Sequence, residues 1–217
     1  MHNVKVILWD IGNVFIQSIH GPLFDLLFTK NNTTLKREPF NKKMHEIINE
    51  SFYGRIGLED TWRKIQTYTC IDNDSFMNIR SSIKKNNFNH GLIQEVMTLK
   101  ERFRFGILSD LSQIGYSVVQ NNIAHFIEQC DPKCIFISIF YGLTKLKDGN
   151  KFFKIALEKM ELSAQQVLLV DDSEKSIEAA KSLGIHAVVY QHSENDTSWE
   201  TANITLYNDL AKLGINI

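Results

Sequence analysis

A small set of polar side chains stands directly behind the apolar runs of this sequence. Asp10 ends the first run and is followed by Ile11-Gly12-Asn13-Val14, Ser109-Asp110 ends the second, and Asp171-Asp172-Ser173 ends the fourth. A lysine, Lys145 or Lys147, follows the third. Carboxylates brought to one place repel each other unless a cation or an ammonium neutralises them. Hard oxygen donors of this kind favour magnesium, which takes one or two carboxylates together with waters and a phosphate oxygen. The set therefore predicts a centre that holds a divalent metal and a phosphate together. A single Asp behind a strand often only caps the next turn. Asp171-Asp172 alone would suit the positive end of a helix. The reading rests on the combination.

These residues meet only if the runs are neighbouring strands. Val4 to Trp9, Phe105 to Leu108, Cys134 to Ile137 and Val167 to Val170 are rich in Val, Ile, Leu and Phe, and each stops at polar or Gly residues, as fully buried strands do. Ala187 to Tyr190 reads as a fifth, behind the helix stop Leu183-Gly184. Phe152, Phe153, Ala156, Leu157 and Met160 recur at helical spacing, as do Ile177, Ala180 and Leu183. Strands alternating with helices predict an α/β fold with a doubly wound parallel sheet, in which ligands bind at the carboxyl ends of the strands. Residues 19–89 break the rhythm. They are polar, mostly helix-patterned, punctuated by Pro22 and Pro39, and carry Trp62, Ile65, Phe76 and Ile83 on candidate helices. The expected division is an α/β core from residues 1–18 and 90–217, with an inserted helical cap over 19–89.

In this order the motifs resemble those of the haloacid dehalogenase (HAD) superfamily, over nearly the whole chain. Ile7-Leu8-Trp9-Asp10-Ile11-Gly12-Asn13-Val14 looks like its first motif and Ile107-Leu108-Ser109-Asp110 like its second. The stretch from Gly142 to Phe153 corresponds to the third and Leu169-Val170-Asp171-Asp172-Ser173 to the fourth, followed by Ala179-Ala180 and Gly184. The resemblance implies a Rossmann-like core and an aspartyl-phosphate formed on Asp10, which splits one displacement into two. It implies magnesium held by Asp10, the Gly12 carbonyl, Asp171 and Asp172. It also implies phosphate held by Ser109, Asp110 and the lysine, with Ser109 and the lysine taking part in catalysis.

Two features depart from the family pattern. The second aspartate usual in the first motif, a general acid and base, is replaced by Gly12. Losing such a group commonly costs ~10²–10⁴-fold in rate. The Asp-x-Gly-Asn-Val form resembles a branch with sugar-phosphate phosphatases such as glucose-1-phosphatase, and the change favours leaving groups that need little protonation. In the third motif, spacing from Gly142 selects Lys145, while counting back from Phe152-Phe153 selects Lys147. Lys145 keeps the upstream spacing and is preferred; the other lysine is then a solvated surface charge.

The expected function is a magnesium-dependent phosphatase acting on a small phosphorylated metabolite, sugar phosphate preferred. A catalytically degenerate binding protein and a 2-haloacid dehalogenase are the alternatives. With 217 residues, 43% hydrophobic, and a formal net charge of -1, the chain can bury a core and carries no basic footprint for nucleic acid. Cys70, Cys130 and Cys134 read as reduced thiols. No run approaches the ~20 apolar residues of a membrane span, and the amino terminus lacks a signal-peptide pattern, so a cytoplasmic location is expected. His-Glu-x-x-His, Gly-x-Ser-x-Gly and Gly-rich phosphate loops do not occur in the sequence. Phe52, Tyr53 and Trp62 of the expected cap read as core before they read as substrate contacts.

Overall fold

The apolar runs form five parallel strands, β1 (Val6–Trp9), β2 (Arg104–Ser109), β3 (Ile135–Ile137), β4 (Val167–Asp171) and β5 (His186–Val189), in the spatial order β3-β2-β1-β4-β5. The computed structural model describes residues 3–31, 35–83, 88–192 and 198–216. Strand bounds move slightly from the sequence expectation. Lys5 lies outside β1 yet still donates to the Gln166 carbonyl and accepts from the Arg104 N–H. Cys134 belongs to a 3₁₀ turn over Pro132–Cys134, and Tyr190 follows the end of β5.

Between β1 and β2 run α1 (His20–Lys30), α2 (Arg37–Phe52), α3 (Leu58–Thr69), α4 (Asn73–Ile83) and α5 (His90–Thr98). Then come α6 (Gln113–Asn122) and α7 (Ala124–Glu128) before β3, and α8 (Ser138–Tyr141) and α9 (Lys151–Met160) before β4. After β4, α10 (Glu174–Ser182) precedes β5 and α11 (Glu200–Lys212) follows it. No helix among the described residues is long and apolar enough to cross a membrane.

Successive strand residues point to opposite faces, and both faces are covered. Val6, Leu8, Leu108, Phe136 and Leu169 pack with Phe152, Phe153, Ala156, Ile177 and Ala180 from α9 and α10. Ile7, Trp9, Ile107 and Val170 face the other way, into an apolar cluster with α5, α6 and α11. Leu23, Phe24, Phe40, Met44, Ile47, Trp62, Ile65 and Phe76 from α1–α4 join that same cluster. The helical layer thus shares its core with one face of the sheet. A buried polar knot ties the ends together. Asn89 caps α5 through the Leu92 N–H and donates to the Tyr190 hydroxyl at 2.9 Å and to Asn203 of α11 at 2.8 Å.

The chain leaves β1 for β2 and β3 on one side and returns to β4 and β5 on the other. The order therefore reverses between β1 and β4, and a crevice opens beyond their carboxyl ends. Asp10 and Asp171 follow Trp9 and Val170, which are partners in register, so both carboxylates reach the crevice at one level.

Gly106 fits beside Leu8 because it lacks a side chain. A Cβ there would stand 2.4 Å from the Cys134 carbonyl oxygen and 2.6 Å from Leu8 Cδ2. Gly106→Ala is expected to destabilise by ~1–3 kcal/mol, which thermal unfolding would register as a melting point lower by several degrees. An unchanged melting temperature would show that the sheet can spread there.

Candidate active site

Lys145 organises the centre. Its Nζ donates to Asp10 Oδ1 at 2.7 Å and to Asp171 Oδ2 at 2.5 Å, with all three side chains nearly or fully buried. Its backbone N–H donates to both oxygens of Asp110, at 3.1 and 3.2 Å. Asp172 stands beside Asp171 and accepts from Asn13 Nδ2 at 2.9 Å. Oxygens of Asp10, Asp171 and Asp172 all lie within 4.8 Å of one another.

The loops behind the strands fix this geometry. Asn13 takes a left-handed backbone, φ 52°, which Asn tolerates better than most residues. Its Oδ1 accepts the Ser18 N–H while its amide holds Asp172. Asp171 accepts the Ser173 N–H at 2.9 Å, and Ser173 caps α10. Ser112 caps α6. Two helix amino ends therefore open at the site and favour negative charge there.

The sequence left two lysines open, and the loop after α8 separates them. A left-handed run at Asp148, Gly149 and Asn150 takes up the extra length before α9. Lys145 thus enters the carboxylate cluster while Phe152 and Phe153 stay in the core. Lys147 lies elsewhere, its ammonium 5.0 Å from the centre of the Tyr53 ring.

Burial sets the electrostatics. It pushes the Asp10 carboxyl up to about 8; the Lys145 ammonium pulls the other way, while Asp171 and Asp172 add to the rise. Burial also raises Asp110, against the nearby ammonium. Burial works against the charge of Lys145 as well, but the Asp10, Asp171 and Asp110 carboxylates prevail and hold the ammonium well above the ordinary lysine range. Four carboxyl groups face one ammonium.

A cleft of about 250 Å³ opens over Asp10, Gly12, Asp110, Lys145, Asp171 and Asp172. Its upper walls come from the loop after β1, from His20 of α1, from Phe52 at the end of α2, and from Leu111 and Ser112. Ser109 is completely buried behind this wall, where its Oγ accepts the Ile11 N–H at 3.4 Å. Of the aromatic residues named from the sequence, Phe52 reaches the cleft, whereas Trp62 is buried against Phe76. Tyr53 meets the Thr144 hydroxyl at 3.5 Å. Asn13 stands in the first motif but receives no role from the sequence, and His20 and Ser112 join the site without a sequence signal for it; the preference of Asn for left-handed backbone and of Ser for helix caps hints at two of the three.

No protein-family profile matches the sequence, and no curated protein matches it. Solved structures do. A HAD family enzyme from Bacteroides thetaiotaomicron superposes with a TM-score of 0.74 at 16% identity, covering 92% of this chain and 98% of that one. The fold is that of the HAD family. The same bacterial enzyme has been solved in complex with magnesium and inorganic phosphate, and in that form superposes with a TM-score of 0.72 at 16% identity, over 91% of this chain and 98% of its own. A predicted HAD-like family hydrolase from Porphyromonas gingivalis gives 0.69 at 13% identity, covering 94% and 98%. The L-2-haloacid dehalogenase of Xanthobacter autotrophicus, with chloropropionic acid covalently bound, is more distant at 0.55 and 13%, covering 88% and 79%.

Removing the ammonium from this HAD-fold centre leaves buried carboxylates without a partner. Lys145→Met is expected to cost about 3–5 kcal/mol of stability near neutral pH. Without the opposing charge of Lys145, Asp10, already raised by burial, gains its proton more readily in the folded state than in the unfolded chain, so the deficit shrinks as pH falls. Urea denaturation of wild type and variant at neutral and at mildly acidic pH measures this. A deficit independent of pH would contradict it.

Proposed function

We propose that this protein is a magnesium-dependent phosphatase that hydrolyses a small phosphate monoester through an aspartyl-phosphate on Asp10. The observation that carries the reading is the convergence of Asp10, Asp171 and Asp172 within 4.8 Å at the β1/β4 crevice. The donor set fits the ion. Clustered carboxylates in excess over a single ammonium, with the Gly12 backbone alongside, match the oxygen ligands that magnesium takes. Bound there, magnesium would supply charge neutralisation to a phosphate oxygen. A carbon–halogen displacement needs no such cation, so the acidic trio weighs against dehalogenation.

The remaining roles follow from the chain itself. Asp10 Oδ attacks phosphorus, the bond to the leaving oxygen breaks, and water then cleaves the acyl phosphate to free Asp10. The ammonium of Lys145 neutralises charge on the transferred group, which is the main demand of phosphoryl transfer. Asp110 fixes the Lys145 backbone, and Asn13 fixes Asp172. The amino ends of α6 and α10 add positive potential where the phosphate sits. Ser109 acts from behind by holding the Ile11 N–H of the nucleophile loop. Because Gly12 offers no proton, leaving groups of low basicity, such as anomeric or acyl phosphates, suit the site best. A sugar phosphate meets that requirement.

Phosphate release from sugar, acyl and nucleotide phosphates, with magnesium and with excess chelator, tests the reading. Magnesium-dependent release is expected, falling by ~10⁴-fold or more in a folded Asp10→Asn variant. Release that survives in the variant would refute the role of Asp10.

A second prediction concerns pH. The raised Asp10 carboxyl keeps a proton that the cation must displace. Magnesium affinity should therefore rise with pH, up to about tenfold per unit below about pH 8, with proton release on binding. Calorimetry in buffers of different ionisation enthalpy reads both. Affinity that is flat across this range would contradict the assignment.

A further inference from the structure

The outer walls of the cleft differ from its floor. The acidic groups and Lys145 lie on the floor. Above them the described lining residues include no Asp, Glu, Lys or Arg, but Gln17, Ser18, His20 and Ser112, with Phe52 and Leu111 as apolar surface. His20 Nε2 lies 3.0 Å from Ser112 Oγ. That oxygen already accepts the Gly115 N–H at 3.0 Å, as the cap of α6. Either tautomer of the imidazole makes this bond, because the hydroxyl can both donate and accept, and Nδ1 is the ring nitrogen that remains to meet a ligand hydroxyl. The Phe52 ring stands edge-on to His20 at 5.3 Å and fixes its plane.

The charge state agrees with this geometry. Burial lowers His20 to about 4, and neighbouring His45 of α2 pushes in the same direction. His20 also begins α1, where a positive charge is disfavoured. It is a neutral hydrogen-bonding group at working pH. The small size of the cleft adds a limit, since about 250 Å³ lies below the ~300–1,000 Å³ of ordinary ligand pockets.

From these observations we infer that His20, positioned by Ser112, is a specificity residue that hydrogen-bonds a hydroxyl on the leaving group, so that the site selects small phosphates with an uncharged, hydroxyl-bearing body. The inference rests on the phosphatase reading of the Asp10 site, because the phosphate must sit on the floor for its remainder to meet His20.

The test compares two ligands of equal carbon count, glycerol phosphate and propyl phosphate, by calorimetry with magnesium present and inorganic phosphate as the control. Wild type should bind glycerol phosphate about tenfold more tightly than propyl phosphate, the effect of a lost hydrogen bond. In His20→Ala the two affinities should converge, and His20→Asn, which keeps an amide near the position of Nδ1, should restore part of the preference. Circular dichroism checks that each variant is folded. A structural role alone would weaken both ligands alike and keep their ratio, which would overturn the inference. So would a wild-type protein that binds the two phosphates equally. If inorganic phosphate itself fails to bind the magnesium-loaded protein, the phosphatase reading falls, and this inference with it.

Discussion

A buried ammonium between two buried carboxylates is the constraint on which the rest of this structure depends. Lys145 reaches Asp10 and Asp171 where almost no water screens them. Isolated, each of these charges would be too costly to bury. Together they hold strands β1 and β4 to the loop after α8, three parts of the chain that are far apart in sequence. The excess of carboxyl groups over the ammonium leaves the crevice acidic.

The fold serves that arrangement. Parallel strands buried on both faces leave their carboxyl ends as the place where polar side chains can gather, and the reversal of strand order between β1 and β4 opens the gap they gather in. The helices α1–α4 share an apolar cluster with one face of the sheet and supply the upper wall through His20 and Phe52. The contact is close. Gly54, in the left-handed region at φ 62°, passes so near α8 that a Cβ would lie 2.2 Å from the Ile139 carbonyl oxygen. Geometry of this kind couples the helical layer to the segment that leads into Lys145.

Much of this was legible in the sequence, for identifiable reasons. The β1, β2 and β4 runs could be read because strands buried on both faces are continuously apolar, and the polar residues behind them stood out by contrast. The choice between Lys145 and Lys147 could not be closed, since the left-handed turn at Asp148–Asn150 that reconciles the two spacings has no signature in periodicity. Ser109 carries a phosphate role only by resemblance; its contact with the Ile11 N–H, from 98 positions away, has no signature in the sequence. His20 was invisible for another reason. A lone histidine at the start of an amphipathic helix has no pattern, and its meaning comes from Ser112, which folding brings to it from 92 positions away.

The proposed reaction places the phosphoryl group on Asp10. The most direct measurement is borohydride trapping during turnover with magnesium and an acyl or sugar phosphate, followed by mass spectrometry of the peptide containing residue 10. Reduction of an aspartyl-phosphate converts the residue to homoserine. That change is expected at Asp10, dependent on both substrate and magnesium. Phosphate release with Asp10 unmodified, under conditions that trap an aspartyl-phosphate in a control enzyme, would contradict it.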